Sequence, residues 1–558
     1  VLDRSEVNQR LQCTDYDLVV IGGGITGCGV ARDAARRGLK VAVIEGKDVA
    51  FGTSSRSSKL IHGGLRYLEQ RQIGLVWEAV NERRILRKIA PHLVNEQGFL
   101  FPVYTNSPIK LWFLKAGLWV YEALVLFRVH KIHSSFGVKK TAAIEPLLTT
   151  EGLNGTPLYW DCTTDDARLT LETALDARAN GAEVATYRNV EGFVREGDSG
   201  KGRIAGVEVK DNQTGERFVV KGRCIVNATG PWSDRTRALF GLQGKKLRPT
   251  KGIHVVVDAK RLPIRYAVVL HHPDDGRILF AVPWGNRTYI GTTDTDFQGD
   301  PAQVAATSQD VNYLLRSCSH FFPKAQLVRE DIIATWAGLR PLVSTGAEKE
   351  SDVSREHEIF EEHEGFLTIA GGKITTYRRM SAEVVDRCLE VLAKCGGAPN
   401  LHPSNTDTSP LPGAVGWSSS DDHEAMAKKA MAAAQGAIDS DTAQHLVNQY
   451  GACGVELAAG LVGNEASCAR LSPDRPEVLG VVDWAVKREF AETLCDVMIR
   501  RTQFFFKDTD QGLGFVAQVA GRMADLLGWD AARLEKELSD YRVEVGLSRE
   551  WRSEAVAG

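Results

Sequence analysis

Tyr16-Asp-Leu-Val-Val-Ile21 is a short apolar run with β-branched residues, and it passes without a spacer into Gly22-Gly-Gly-Ile-Thr-Gly27-Cys-Gly29. The run reads as a buried strand. Val30 to Arg37 is Ala/Arg-rich and favours helix, Gly38 ends it, and Lys40-Val-Ala-Val-Ile44 is a second buried strand closing on Glu45. These pieces make one β-α-β unit, which requires a parallel sheet with helices packed on it. In such a unit Gly22 permits the tight turn, Gly24 lets backbone N–H groups approach a pyrophosphate, and Gly27 lets helix and strand pack closely. The helix N-terminus favours the phosphates, and Glu45, about twenty positions beyond the loop, suits a ribose diol.

NAD and FAD are separated by the rest of the chain. A flavin is buried whole, so its ring needs contacts from distant segments. Ala228-Thr-Gly230 and Gly371-Gly372 supply two, each following a strand, as the carboxyl edge of a parallel sheet demands. The second opens a helix whose N-terminus favours negative charge. FAD is the expected cofactor.

Between about Leu75 and Ile144 the pattern is mostly helical, and Leu169 to Asn180 is another helix. From Gly192 to Val226 alternation suggests antiparallel strands. Strand signals dominate from Arg248 to about Phe366, broken by one helical stretch near Val311 to Phe322, which reads as a mixed sheet inserted into the nucleotide fold. Residues Gly396 to Asp422 have the composition of a linker, and Glu424 to Ser553 is almost wholly helical in pattern.

With 558 residues the chain should form two to four units at roughly 100 to 200 residues each. Sixty-eight Lys+Arg against 71 Asp+Glu remove the basic excess of a nucleic-acid binder. The cysteines show no C-x-x-C pair and no zinc-ligand spacing, so no metal is expected and the thiols read as reduced. Val1 to Asp15 lacks the character of a signal or transit peptide. Ile109 to Phe127 is nearly long and apolar enough to span a bilayer. Lys115 and Glu122 interrupt it on one helical face, which suggests a helix with a polar stripe, either buried or leaning into lipid headgroups beside Lys110, Arg128, Lys131, Lys139 and Lys140.

Gly52-Thr-Ser-Ser-Arg-Ser-Ser-Lys-Leu-Ile-His-Gly-Gly-Leu-Arg-Tyr-Leu-Glu69 resembles the signature of the FAD-dependent, quinone-linked glycerol-3-phosphate dehydrogenases. Ala90-Pro-His-Leu93, Asp166-Ala-Arg-Leu169, Asn227-Ala-Thr-Gly-Pro-Trp232, Gly291-Thr-Thr-Asp-Thr295, Trp336-Ala-Gly-Leu-Arg-Pro-Leu342, Gly371-Gly-Lys-Ile-Thr-Thr-Tyr377 and Asp496-Val-Met-Ile-Arg-Arg-Thr502 extend the likeness over nearly the whole chain. The resemblance implies α/β architecture plus an α domain. A glutathione-reductase-like, Rossmann-type FAD domain is expected over 1–75, 150–245 and 365–395, and a mixed-sheet substrate domain over 76–149 and 246–364. A linker over 396–422 and a C-terminal helical domain over 423–558 complete it. It also implies oxidation of sn-glycerol 3-phosphate to dihydroxyacetone phosphate, and a homodimer.

The substrate is a phosphate dianion with a secondary alcohol, so its site needs cations and a base. By similarity, Arg340 and Arg355 match family arginines at the substrate, and Arg66, Tyr67 and Lys373 match further active-site positions. Arginine suits phosphate through its fixed fork of donors. His254 matches a family histidine beside the flavin, and an imidazole with neighbouring cations is a better proton acceptor than Arg340. The resemblance further implies FAD contacts at Thr53, Ser54, Ser58, Lys59, Leu60, His62 and Gly63, at Val190, and at Thr375 beside Gly372.

In that family electrons pass to membrane quinone, whereas close relatives use oxygen. No long insertion marks an oxidase, so quinone is the expected acceptor and the inner face of a bacterial cytoplasmic membrane the expected location, by peripheral contact from the cytoplasm. The competing readings are an FAD oxidase of amino or 2-hydroxy acids, which does not need so many cations, and a flavin-bearing binding protein without turnover.

Overall fold

The computed structural model describes residues 3–64, 72–124, 131–196, 202–344, 357–397, 401–418 and 421–554. Tyr16–Ile21 lies at the centre of five parallel strands, in the order Phe366–Gly371, Arg217–Asn227, Tyr16–Ile21, Val41–Ile44, Glu183–Ala185. Every residue of the central strand is buried, because both faces of the sheet are covered. Leu18 and Val20 face the helices Ile25–Arg36, Asp166–Ala179 and Tyr377–Lys394. Val19 and Ile21 face the antiparallel strands Arg188–Arg195 and Ile204–Asp211 and the N-terminal helix Arg4–Cys13. The period of two along one strand therefore divides two cores.

A second sheet, eleven-stranded among the described residues, meets the carboxyl edge of the first, where residues of both line one cavity. Its leading pair is Leu247–Asp258 with Ile332–Val343, antiparallel, with His254 opposite Trp336, Gly252 opposite Gly338 and Thr250 opposite Arg340. Arg287–Gly291, Ile278–Trp284, Ala267–His271, Asn95–Leu100 and Leu153–Thr163 follow across the sheet. The stretch expected to be mostly helical thus contains strands as well as the helices Ile73–Ile89, Leu111–Leu124 and Val138–Ile144. Asn95–Leu100 pairs along its whole length with Leu153–Thr163, a long-range ladder that a local pattern does not announce. Leu60–Ile61 and Leu153–Thr163 also join this sheet, although both lie within the segments expected to form the FAD domain.

Beyond residue 423 the described chain is helical apart from one isolated bridge, Arg470 with Val478. These helices bury one core of their own, around Leu446, Tyr450 and Leu457, and share a second with the rest of the chain. Phe504, Phe505, Phe506, Val519 and Tyr541 share one apolar cluster with Phe99, Val256 and Trp336 of the second sheet. The connecting stretch expected to be a linker is tied down at its described residues. Arg32 donates to the carbonyls of Thr406 and Ser409, Gly413 N–H donates to Glu172, and Leu411 is fully buried. These ties run through backbone groups, while His402, Asn405, Asp407 and Thr408 remain exposed.

The helix Leu111–Leu124 corrects the expected polar stripe. Leu114, Leu118, Tyr121 and Glu122 point inward, the last held by the backbone N–H and Nδ1 of His133. Trp112, Phe113, Trp119 and Val120 face outward, with Trp112 69% exposed. No described helix is long and apolar enough to cross a membrane.

Candidate active site

Four parallel strands end at one edge, at Ile21, Ile44, Asn227 and Gly371, and the turns that follow them wall a cavity of about 600 Å³ beneath the second sheet. At one end are Gly22, Gly24 and Glu45; Ser54, Ser58, His62, Ala228 and Gly230 line its length; His254, Arg340, Gly372 and Lys373 line the rest. Gly22 has φ +109°, and a Cβ there would stand 2.7 Å from the Ala228 carbonyl oxygen, so only glycine lets the two strand ends meet. The helix Ile25–Arg36 has Gly24 at its N-cap, with no side chain of its own to cap it, and its first N–H, at Ile25, donates instead to Ser54 Oγ at 2.9 Å. Glu45 accepts from Gly23 N–H at 2.6 Å and Lys47 N–H at 2.7 Å, and burial raises its carboxyl above the usual range.

The reactive end is built by alternation along paired strands. Gly252 and His254 share a face, as do Trp336, Gly338 and Arg340. The His254 ring stacks on Trp336, with centroids 4.6 Å apart and planes 13° apart. It lies across Gly291, where any side chain would overlap the imidazole. The Arg340 guanidinium lies across Gly252 in the same way, where a Cβ would stand 2.5 Å from Nη2. Two glycine gaps in the sheet thus give both side chains room. Arg340 is oriented by Asp294 Oδ1 at 3.0 Å, Thr292 Oγ1 at 3.1 Å and the Thr293 carbonyl at 3.0 Å.

His254 is 3% exposed; its Nε2 lies 3.0 Å from Ser58 Oγ, and its Nδ1 has no hydrogen-bond partner among the described residues. Burial, then the positive charges of Arg340 and Lys59, hold its pKa well below the ordinary imidazole value. A neutral, cation-flanked imidazole is a proton acceptor at physiological pH.

Of the residues expected at the site, Gly22, Gly24, Glu45, Thr53, Ser54, Ser58, Leu60, His62, Val190, Ala228, Gly230, His254, Arg340, Gly372 and Lys373 line this cavity together. Gly27, Lys59, Gly63 and Thr375 do not. Gly27 abuts the Gly22 carbonyl, Gly63 donates to Asp161, and Thr375 Oγ1 accepts from His62 N–H. Lys59 turns away to Asp166 at 2.6 Å, beneath Trp336. Arg66, Tyr67 and Arg355 lie outside the described residues. Sequence reasoning passed over Arg56, Asn189, Trp232 and Thr292 in the wall, and Asp294 behind Arg340. Asp294 stood in view within Gly291-Thr-Thr-Asp-Thr295, but its task depends on a cross-strand pairing. Among the described residues no group of His, Cys, Asp and Glu is arranged to hold a metal.

Residues 17–378 match the family model described as FAD dependent oxidoreductase, and residues 404–534 match the C-terminal domain of alpha-glycerophosphate oxidase. The aerobic glycerol-3-phosphate dehydrogenase of Staphylococcus epidermidis is 36% identical over 550 residues, covering 98% of this chain and 97% of that protein. Its Staphylococcus aureus counterpart is 37% identical over 537 residues, covering 95% and 94%. The crystal structure of the Bacillus halodurans glycerol-3-phosphate dehydrogenase complexed with FAD superposes with a TM-score of 0.80 at 30% identity, covering 99% of both chains.

Proposed function

The chain belongs to the FAD-dependent oxidoreductase family, and from that premise we propose that it is an FAD-dependent glycerol-3-phosphate dehydrogenase, oxidising sn-glycerol 3-phosphate at C2 to dihydroxyacetone phosphate and passing the electrons to a membrane quinone. What carries this is one cavity with a dinucleotide-binding turn and Glu45 at one end and a neutral buried histidine beside an oriented arginine at the other. The residues present fit FAD. Gly22, Gly24 and Ser54 would flank its pyrophosphate, Glu45 its ribose, and Ala228 to Gly230 with Gly371 to Lys373 its ring system. Bound FAD supplies the two-electron acceptor for the C2 hydride.

The protein's part is charge, aim and proton transfer. Arg340 presents a guanidinium already fixed in direction by Asp294 and Thr292, so little entropy is lost when it meets a phosphate. Lys373 adds a cation in the same wall, and Arg66, Tyr67 and Arg355 are assigned to substrate binding by the resemblance of their motifs. His254 takes the C2 hydroxyl proton at Nε2, the ring nitrogen whose partner Ser58 also lines the cavity. Mixing the purified holoenzyme anaerobically with glycerol 3-phosphate should bleach the visible flavin band, and glycerol without the phosphate should not. With turnover established, a quinone analogue should be reduced faster than oxygen is consumed. A flavin band indifferent to the phosphate ester, or the opposite acceptor ranking, overturns the respective assignment.

Peripheral attachment to the inner face of the cytoplasmic membrane is supported by the outward face of Leu111–Leu124. Trp112, Phe113 and Trp119 stand exposed there, with Ile73 and Trp77 exposed on the helix Ile73–Ile89. Exposed tryptophans beside lysines suit the headgroup boundary. Replacing Trp112 and Trp119 together by glutamate should lower partition onto anionic phospholipid vesicles by at least about tenfold. Turnover with a soluble acceptor should be unchanged. Unaltered sedimentation with vesicles would place the contact elsewhere.

A further inference from the structure

We infer that the helical C-terminal domain is part of the cofactor site, with Asp48, Arg500 and Arg501 acting as positioning residues for the loop on which Glu45 meets the FAD ribose. This rests on the FAD reading above and adds to it a set of residues more than 400 positions away along the chain.

The loop after Val41–Ile44 must hold Glu45 against the cavity while the chain reverses. Inside the FAD domain the ties to this loop are mostly through backbone: Arg188 N–H donates to the Glu45 carbonyl, Glu45 N–H to the Ala185 carbonyl, Tyr187 N–H to the Lys47 carbonyl and Ala50 N–H to the Gly23 carbonyl, with Asn212 Nδ2 donating to the Gly46 carbonyl and Gly23 N–H to the Glu45 carboxylate. Two of the residues so engaged are themselves in the left-handed region, Ala50 at φ +64° and Tyr187 at φ +60°. Such conformations persist only where surrounding contacts over-determine them. The C-terminal domain supplies such contacts to Tyr187 and to the loop at Asp48. Asp48 is fully buried; its Oδ2 accepts from Arg500 Nε and from Arg501 Nη1, and its Oδ1 accepts from Arg501 Nη2 at 2.8 Å. Arg500 Nη2 donates to Asp496 Oδ1 at 2.6 Å, and that same oxygen accepts from Tyr187 Oη at 2.6 Å. One short segment therefore grips the loop twice, directly at Asp48 and through Tyr187 at Lys47.

Asp496–Arg501 is a π-helical turn. Its wider winding points successive side chains closer to one direction than an α-helix does, which is how two adjacent arginines reach a single carboxylate. Such turns cluster at functional sites. The charges are matched as well as the geometry. Asp48 acts electrostatically on Glu45, disfavouring its ionised form, and Arg500 opposes it. Although burial alone would raise the Asp48 pKa, Arg501 and Arg500 outweigh it and hold the carboxyl below its usual range. Uncompensated, Asp48 would be a second negative charge beside Glu45 and an incoming pyrophosphate. Arg500 also lies 5.7 Å from the ring centre of Phe51, which lines the cavity.

The test is equilibrium binding of FAD to the apoprotein, read by quenching of flavin fluorescence. Asp48→Asn should weaken FAD by about ten- to a hundredfold, the size of loss that removing the partner of a metal-ligating side chain brings at metal sites. Arg500→Lys, which keeps the charge and loses the fork, should lose severalfold and covers the case in which Asp48→Asn does not fold. Combined with Glu45→Gln, Asp48→Asn should cost far less than the product of the two single losses, a coupling that a merely structural Asp48 would not give. The KM for glycerol 3-phosphate at saturating FAD should stay within about twofold, as expected of a residue remote from the substrate. Wild-type protein that does not bind FAD defeats the cofactor reading itself. Wild-type protein that binds FAD, with folded variants binding equally or with losses that multiply independently, defeats this inference alone.

Discussion

Replacing His254 by alanine is expected to lower kcat by about two to four orders of magnitude, the usual contribution of a positioned general base, with FAD retained and the KM for glycerol 3-phosphate changed far less. The ring stacks on Trp336 and its Nε2 meets Ser58, so it is held in place by contacts that do not involve the cofactor. His254→Asn, which keeps a polar group without the imidazole's basicity, should be nearly as slow. The pH profile supplies the sharper check. Burial, then Arg340 and Lys59, depress the imidazole pKa, so the base stays neutral below the ordinary value of about 6.5. The acidic limb of kcat/KM, which reports the free enzyme, should therefore lie below that value. The same depression has a stability consequence of fixed sign: the linked contribution is present above the unfolded-state pKa and is lost as pH falls through the folded one. A variant with unimpaired kcat, or a wild-type acidic limb at or above the ordinary imidazole value, removes His254 as the base.

The nucleotide end of the site was legible because its chemistry is local. A strand, a glycine turn and a helix must follow one another directly, and Gly22 at positive φ and Glu45 at the next strand end are placed by that order alone. Strand-to-glycine junctions at Ala228–Gly230 and Gly371–Gly372 were legible for the same reason, and both line the cavity. The reactive end was reached through resemblance, since nothing near His254 in sequence states that its ring will lie over Gly291 and against Trp336. What holds Arg340 was hidden because Asp294 arrives from a different strand. Lys59 illustrates a different limit. Membership of a signature segment does not fix a side chain's direction, and within Ser57-Ser58-Lys59 only Ser57 and Ser58 line the cavity while Lys59 is turned behind it. Glu122 was misplaced because a polar residue reads the same whether it meets water or a buried partner, here His133, and the anchoring of residues 401–418 was hidden because it runs through backbone groups, at Arg32 and Glu172, that composition does not display.

Lys59→Met should destabilise the protein by about 3 to 5 kcal/mol, the cost of leaving one member of a buried ion pair without the other. Lys59 is 2% exposed and Asp166 fully buried, and the carboxylate also accepts from the backbone and hydroxyl of Ser57. Burial already raises the Asp166 pKa; removing the ammonium raises it further, so the folded variant binds a proton that the unfolded chain gives up. Its deficit, read from urea unfolding, should therefore shrink as pH falls toward the carboxylate range and be largest near neutrality. The same substitution should also be felt at the base. Lys59 Nζ lies 5.4 Å from the centre of the Trp336 ring on which His254 stacks, and its charge helps to depress that histidine. Removing it should move the acidic limb of kcat/KM upward while FAD binding changes little, because Lys59 stands outside the cavity wall. A pH-independent deficit would mean that Asp166 is not the residue left stranded. A large loss of FAD with an unmoved acidic limb would return Lys59 to the cofactor.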